Sequence, residues 1–376
     1  MRKKPIAQGI GAAVRNALCL WLLLLPASLL DAQSAIADRQ PSSALENIQV
    51  HSVALENNKL GDSPDQPVAI YLPPSYKASP AKRYPSLYLL HGFDSNIRAW
   101  TSHGYQEMNL QDAMDALIQS GTVREMIVVV PNGRNAYLGS FYANSSVTGG
   151  WEDFVSRDLV AYVDSHYRTL PRAASRGIAG HSMGGYAAIM MGMKHPEVFS
   201  AVYAMSPCCL GMEADLTAAN PAWNAALAAK SKSKERFGKD PESLEQFWVD
   251  AFLSLGAAFS PNPNQGPLFV DLPYREQNGR LVQDEPAWTE WHTKMPLEIV
   301  SSYASNLLLL RGLFIEYGME DDFSHIPVTS RLFSEKLAQL GVPHVLASYR
   351  GDHSDHIRER LETSVLPFFS HALVGE

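Results

Sequence analysis

One serine stands at the centre of the segment RGIAGHSMGGYAAIMMGMKHP, which spans residues 176–196. Ser182 has Gly180 two positions before it and Gly184 two positions after it, in the pattern Gly-x-Ser-x-Gly. A short apolar run precedes the pattern and a longer one follows it, which predicts a strand leading into a helix. At such a turn a serine hydroxyl can project into solvent as a nucleophile. The competing interpretation is a small residue in an ordinary tight turn.

A serine nucleophile requires a base that takes its proton and an acid that orients the base. Candidate groups follow two later apolar runs. The first cluster is Met319-Glu320-Asp321-Asp322, and the second is Asp352-His353-Ser354-Asp355-His356. Where such a serine turn lies in a mainly parallel sheet, the acid is expected first in the chain and the histidine second, each just past a strand. The second cluster also contains the side-chain types that ligate metal ions.

Short apolar runs alternate with helical patterns along most of the chain. The predicted strands cover residues 68–72, 86–91, 126–130, 176–181, 200–206, 307–317 and 344–349. Several are apolar throughout, as expected for strands that are covered on both faces. This alternation predicts the α/β fold class, with a mainly parallel central sheet flanked by helices. Residues 38–64 carry little hydrophobic pattern and are predicted to form a short lead-in.

Motifs along the chain resemble the esterase-D-like (putative esterase) branch of the α/β-hydrolases, which includes S-formylglutathione hydrolases, feruloyl esterases and mycolyltransferases. They are YLLHGF, Trp100, VVVPNGR, YRTLPRAASRGIAGHSMGGYAAI, KHPEVFSAVYAMSP, YGMEDDF and YRGDHSDHI. The resemblance covers residues 66–206 and 305–370 and implies the α/β-hydrolase fold. It is specific for the family, because order and spacing agree, but it does not indicate a substrate.

The resemblance also assigns the acid and the base. The family pattern Gly-x-x-Asp, counted from the glycine of YGMEDDF, implies Asp321 as the acid, with Asp322 and then Glu320 as alternatives. The pattern Gly-x-His implies His353 as the base, with His356 as the alternative. Because that role requires a free imidazole nitrogen on His353, we expect neither a metal nor another cofactor.

The tetrahedral intermediate of acyl transfer requires hydrogen-bond donors for its oxyanion. Two backbone N–H groups are predicted, that of Met183 after the nucleophile and that of Phe93 after YLLHG. Trp100 matches a family tryptophan near the mouth of the active site, although simple core packing explains it equally well. Tyr142 and Asn144 lie on the loop after the VVVPNG strand, where loops form the binding crevice. These three residues are the predicted substrate-binding residues.

Between the AMSP and NLLLL strands the alternation stops. This stretch, residues 211–300, is rich in polar residues, alanine, proline and tryptophan, and predicts a helical, cap-like insertion in a domain of residues 38–376. Its large aromatic residues are Trp223, Phe247, Trp248, Phe252, Phe259, Trp288 and Trp291. Some must pack the insertion itself, and others would form an apolar pocket wall. We expect the insertion to limit access and to set acyl or leaving-group preference.

The N-terminus has the three-part layout of a secretory signal peptide over residues 1–37. Four basic residues precede an apolar core at residues 17–30, and a small-x-small site follows at residues 35–37. The uninterrupted apolar run, residues 17–25, is short of the ~20 residues that a membrane span requires. We therefore expect a secreted or periplasmic protein without a stable membrane span.

The formal net charge of −8 gives no basic excess that would indicate nucleic acid as a partner. Adjacent Cys208 and Cys209 are expected to be two buried thiols, because a disulfide between neighbours needs an unusual backbone. The leading hypothesis is a secreted serine carboxylesterase that acts on a small-molecule or carbohydrate-borne ester through an acyl-enzyme. The alternatives are an acyltransferase on the same triad and a non-catalytic binding protein on a hydrolase scaffold.

Overall fold

A computed structural model describes residues 42–230 and 241–376, so the predicted signal peptide of residues 1–37 lies outside the described residues. In this part of the chain the strands are β1 Ala44–His51, β2 Asp65–Leu72, β3 Ser86–Leu90, β4 Ile127–Pro131, β5 Asn144–Ser145, β6 Gly149–Gly150, β7 Arg176–His181, β8 Ala201–Met205, β9 Tyr274–Gln277, β10 Arg280–Gln283, β11 Gly312–Gly318 and β12 Val345–Tyr349.

The helices of the same residues are α1 Ser75–Ala78, α2 Arg98–Thr101, α3 Leu110–Gln119, α4 Trp151–Asp153, α5 Leu159–His166, α6 Met183–Lys194, α7 Ala222–Ala229, α8 Leu244–Phe259, α9 Glu285–His292, α10 Pro296–Ile299, α11 Ala304–Leu307, α12 His325–Gln339, α13 Ile357–Arg360 and α14 Leu366–Ala372. Within the described ranges no helix is long and apolar enough to cross a membrane.

Eight strands form the central sheet in the order β1-β2-β4-β3-β7-β8-β11-β12. β2 pairs antiparallel with β1 and β4, and the remaining neighbours pair in parallel. Every residue of β3, β4, β7 and β8 is buried, as expected for strands covered by helices on both faces. The prediction of an α/β-hydrolase fold is thereby confirmed. The parallel register brings the loops after β3, β7, β11 and β12 to one edge of the sheet.

The structure differs from the predicted strands at two places. Within the predicted lead-in of residues 38–64, residues 44–51 form β1, an edge strand whose residues pair with β2. Most side chains of β1 are partly or fully exposed, and they produce no apolar run in the sequence. The strand predicted at residues 307–317 begins only at Gly312, because its first residues complete α11 and a turn. Leu308 and Leu309 are exposed there, so this leucine run is not a buried strand.

The described parts of the insertion form a helical unit with one hairpin. It contains α7, α8, the β9–β10 hairpin, α9 and α10. The hairpin turns through Asn278 and Gly279, which both have positive φ, as this turn type requires. Trp223 stacks on Phe252 at 3.6 Å between ring centroids and contacts Trp291 at 5.6 Å. Several of the insertion's aromatic residues therefore pack against each other.

Candidate active site

Ser182 lies on the turn between β7 and α6, with φ 57° and ψ −115°. This conformation is sparsely populated for a residue with a side chain and costs roughly 1–3 kcal/mol. A Cβ on Gly180 would lie 2.4 Å from the main chain of Gly184, and a Cβ on Gly184 would lie 2.6 Å from the carbonyl oxygen of Leu90. Both glycines are therefore required for close backbone approach, and Ser182 has the backbone geometry that is expected of a nucleophile elbow.

The backbone of Ser182 is held from both sides. Its N–H donates to the carbonyl of Met205 at 2.9 Å, and its carbonyl accepts from the N–H of Cys208 at 3.3 Å. The end of β8 and the turn after it thus fix the position of the elbow. Within the described residues the Ser182 hydroxyl makes no hydrogen bond, and the residue is partly exposed.

Asp321 and His353 form a buried pair beside this elbow. Nδ1 of His353 lies 2.9 Å from Oδ2 of Asp321, and the carboxylate also accepts from the N–H of Phe323 at 2.9 Å. Because the carboxylate accepts the Nδ1 proton, Nε2 of His353 carries the lone pair that a general base needs.

The alternative acids and base lie apart from this pair. Asp322 and Glu320 are exposed, and Glu320 contacts Arg350 at 3.2 Å. His356 is exposed and contacts Glu359 at 2.9 Å. Of the residues described, no group of three or more His, Cys, Asp or Glu side chains is arranged to hold a metal ion.

His181, which directly precedes Ser182, connects the Ser182 turn to the loop of His353. Its Nε2 lies 2.9 Å from the carbonyl oxygen of His353, so Nε2–H is the donor. The two imidazole rings are 4.6 Å apart between centroids. Burial, together with the positive charge that His353 can carry, lowers the pKa of His181 to about 3. His181 is therefore neutral at ordinary pH and acts as a fixed donor.

Hydrogen bonds of His91 and Gly92 fix the loop after β3 and orient the N–H of Phe93. His91 is buried; its Nδ1–H donates to the carbonyl of Gly92 at 2.8 Å, and its Nε2 accepts from the N–H of Gly133 at 2.8 Å. The Gly92 N–H donates to the hydroxyl of Tyr105 at 2.8 Å. Because a peptide is planar and trans, this aims the Phe93 N–H opposite to the Gly92 carbonyl.

The predicted oxyanion donors are both available. The N–H groups of Phe93 and Met183 make no backbone hydrogen bond in the part of the chain that is described. Met183 begins α6, where N–H groups have no partner inside the helix and the helix dipole favours negative charge. The side chains of Phe93 and Met183 also both lie against Gly139, where a Cβ would be 2.6 Å from the Phe93 ring and 2.8 Å from the Met183 sulfur.

The three predicted substrate-binding residues make contacts within the protein, and their role towards a substrate stays a prediction. Trp100 is completely buried and packs on Tyr105 at 4.7 Å between centroids. Tyr142 is buried, and its hydroxyl accepts from the N–H of His91 at 3.2 Å. The Asn144 amide is used twice by Asp153, as donor at 2.9 Å and as acceptor at 3.1 Å. Trp100 and Tyr142 support the oxyanion loop from inside, and Asn144 braces the following helix.

A connected cluster of aromatic side chains from three segments reaches His353 through Phe323. Phe323, two residues after Asp321, contacts the His353 ring edge-on at 4.7 Å. Phe247 of α8 stacks on Phe323 at 5.1 Å and meets Phe93 at 5.5 Å. One residue of the insertion thus contacts both the acid loop and the oxyanion loop. Trp248 adds a contact to Phe323 at 5.5 Å.

Two short hydrogen bonds fasten α8 to the loop after β4. The Ser254 hydroxyl donates to the carbonyl of Gly139 at 2.6 Å, and the Ser145 hydroxyl donates to the carbonyl of Ala257 at 2.6 Å. Because Gly139 also lies against Phe93 and Met183, α8 is anchored close to the oxyanion donors.

Comparisons with known proteins identify the family of the chain. A family model described as "Putative esterase" matches residues 63–295. Esterase Rv1288 of Mycobacterium tuberculosis (strain ATCC 25618 / H37Rv) is 29% identical over 303 residues, which cover 76% of this chain and 52% of that protein. The chain therefore spans about half the length of this curated relative.

Solved structures share the fold at lower identity. A ferulic acid esterase has a TM-score of 0.59 and 21% identity, with 88% of this chain and 99% of that chain covered. The fluorophosphonate-binding serine hydrolase FphF of Staphylococcus aureus has a TM-score of 0.56 and 17% identity, with 88% and 99% covered.

Proposed function

The chain belongs to the putative esterase family, and we propose that it is a serine carboxylesterase acting through an acyl-enzyme. The observation that carries this proposal is the buried Asp321–His353 pair, at 2.9 Å, beside a serine on a strained, glycine-flanked elbow. A degenerate, non-catalytic scaffold would have no reason to keep all three groups.

The reaction begins when His353 Nε2 takes the proton of Ser182 as the hydroxyl oxygen attacks the ester carbonyl. The negative charge that forms on the carbonyl oxygen is stabilised by the Phe93 and Met183 N–H groups. When the C–O bond of the ester breaks, the departing alkoxide receives the proton from His353. Water then repeats the sequence on the acyl-enzyme and restores the serine. Asp321 stabilises the imidazolium in both halves.

The contact between Ser182 and His353 closes on substrate binding in this mechanism, as catalytic hydrogen bonds in unliganded enzymes commonly do. Transfer to a sugar hydroxyl in place of water would use the same steps. Product analysis with added alcohols distinguishes these outcomes, because a transferase yields the new ester in preference to the free acid.

The insertion is proposed to form one wall of the acyl or leaving-group site. The support is the position of Phe247, which touches Phe93 on one side and Phe323 on the other. Export to the periplasm or the medium is proposed from the signal-peptide layout of residues 1–37. N-terminal sequencing of the exported protein tests it, and an intact Met1 would contradict it.

The proposal is tested by labelling the purified protein with a fluorophosphonate and by a panel of carboxylic esters. We expect the label on Ser182 alone and a burst of alcohol release from at least one ester, which reports the acyl-enzyme. No label together with no turnover across the panel would favour a binding protein.

A further inference from the structure

Two adjacent cysteines face each other on the turn that follows β8. The Sγ atoms of Cys208 and Cys209 are 2.8 Å apart. Both residues are buried, with 7% and 3% of their surface exposed, and both thiols are free. Neighbouring side chains point to opposite sides of an extended chain, so this close approach requires a particular backbone.

That backbone is present. Cys209 has φ 60°, and Ser206, three residues earlier, has φ 40°. Positive φ at residues other than glycine is uncommon, and such strain concentrates at functional positions. Two such residues within one short turn indicate that the surrounding fold enforces the approach of the two sulfurs.

The same turn supports the nucleophile. The N–H of Cys208 donates to the carbonyl of Ser182 at 3.3 Å, and the N–H of Ser206 donates to the carbonyl of Glu316 at 2.7 Å. One residue before Ser206, the Met205 carbonyl accepts from the Ser182 N–H. The Cys208 N–H belongs to the Pro207–Cys208 peptide, so a change in the backbone of Cys208 acts on the backbone of Ser182 through this hydrogen bond.

We propose that Cys208 and Cys209 are a redox-sensitive pair that closes into a disulfide between neighbouring residues by exchange with a small-molecule disulfide. Cys208, the more exposed of the two, attacks as thiolate, breaks the S–S bond of the small molecule and releases its first thiol. Cys209 then loses its proton, displaces the second small-molecule thiol and forms the Cys208–Cys209 bond. The two thiol protons leave on the two released small-molecule thiols, so atoms and electrons balance.

Geometry makes this disulfide reversible. The sulfurs must close from 2.8 Å to the bonded distance of about 2.0 Å. Neighbouring Cα atoms are only about 3.8 Å apart, below the usual disulfide range, so the bridge is strained. Strained disulfides are the more easily reduced ones, and these are typically regulatory. Closure also changes the backbone torsion angles of Cys208, whose own N–H donates to the carbonyl of Ser182, and in this way alters that hydrogen bond.

The test starts with full-length protein incubated with oxidised glutathione, then denatured and alkylated without reductant. Mass spectrometry of the peptide that contains both cysteines is expected to show no alkylation and a mass lower by two hydrogens. Dithiothreitol before alkylation is expected to restore two labels. Two labels without reductant would overturn the proposal. Reading the peptide itself keeps Cys19 out of the measurement.

Single variants test the order of attack. Cys209→Ser is expected to retain one glutathione on Cys208, because the resolving sulfur is gone, whereas Cys208→Ser stays unmodified. The reverse pattern would overturn the assigned order. Both substitutions keep a small side chain at a buried site, and thermal unfolding checks that the fold is retained.

Ester hydrolysis tests the link to the elbow. Oxidised and reduced forms are expected to differ about fivefold in kcat, the scale of one hydrogen bond, with little change in KM. The double variant Cys208→Ser/Cys209→Ser should not respond to oxidant or reductant. A disulfide that forms without changing kcat would overturn the regulatory role, whereas failure of all forms to hydrolyse esters would count against the proposed function and leave the mass measurement valid.

Discussion

The edge of the sheet that carries the proposed triad and the insertion that packs against it are held in place by different interactions. Ser182, Asp321 and His353 follow the ends of parallel strands and are held by backbone hydrogen bonds and by glycines that no larger residue can replace. The insertion packs against this edge through ring contacts of Phe247 and Trp248 and two serine hydrogen bonds. In the proposed function, the chemistry depends on backbone geometry that tolerates little change, and substrate preference depends on side chains that can be exchanged.

The largest effect is expected at the edge of the sheet that carries the proposed triad. Ser182→Ala should lower kcat by about 10⁶-fold, because the acyl-enzyme cannot form. Unfolding in urea should be unchanged, since the hydroxyl makes no hydrogen bond within the described residues. Turnover assays and fluorophosphonate labelling check this. Substantial activity in a clean preparation would remove Ser182 as the nucleophile.

The next largest effect separates the triad from its neighbours. Asp321→Asn is expected to lower kcat by about 10⁴-fold, because the imidazole then presents the wrong tautomer. His353→Ala should be at least as damaging. The matched controls Asp322→Asn and His356→Ala alter exposed groups and should stay within a few-fold of the wild type. A reversed order within either pair would contradict the assignment.

A smaller effect is expected from substitutions in the insertion. Phe247→Ala should change the ratio of kcat/KM between bulky and small esters by about tenfold, the scale of a few methylene contacts in a pocket. Trp288→Ala is the matched control, since Trp288 packs on Tyr274 and His292 within the insertion. Equal ratios across the ester panel for the wild type and both variants would sink the idea of a selective wall.

The smallest effect concerns pH and the buried histidines. Burial lowers the pKa of His91 to about 4 and that of His181 to about 3, both below 6.5. The unfolded chain therefore binds more protons than the folded chain below pH 6.5, so stability is full above that pH and is lost as pH falls towards 4. We therefore expect the free energy of unfolding, measured in urea, to change less steeply with pH across this window for His181→Asn than for the wild type.

The exposed His103 provides the control for that measurement. His103→Asn removes an exposed histidine instead of a buried one and should leave the slope unchanged. A His181→Asn slope equal to that of the wild type would show that His181 is not held neutral by burial.

The elbow could be predicted from sequence because its signal is local: glycines flank a serine between a strand and a helix. The acid and base required the family pattern, since Asp321, Asp322 and Glu320 are equivalent by composition. Tyr105 and His181 were missed, because their roles arise from contacts with Gly92 and with the His353 carbonyl that no spacing reveals. A histidine directly before the nucleophile was the one available signal.

The burial of the predicted substrate-binding residues could not be read from the sequence for a related physical reason. Position on a crevice loop does not determine whether a side chain faces the ligand or the core, and Tyr142 faces the core. β1 escaped prediction because an edge strand needs no continuous apolar run. The contacts of Phe247 depend on how α8 docks against Phe93, which lies 154 positions earlier in the sequence, and periodicity cannot specify this.

The placement of Phe247 has a consequence for how relatives of this chain can diverge. A single helix face, encoded in one contiguous stretch of sequence, touches both halves of the catalytic machinery without contributing a reacting atom. Drift, recombination or a designed library confined to α8 can therefore explore new substrates while the acyl-transfer steps are inherited intact. The fold therefore places the residues of α8 that can vary and the proposed catalytic residues on different segments of the chain, and Phe247 is the point of contact between them.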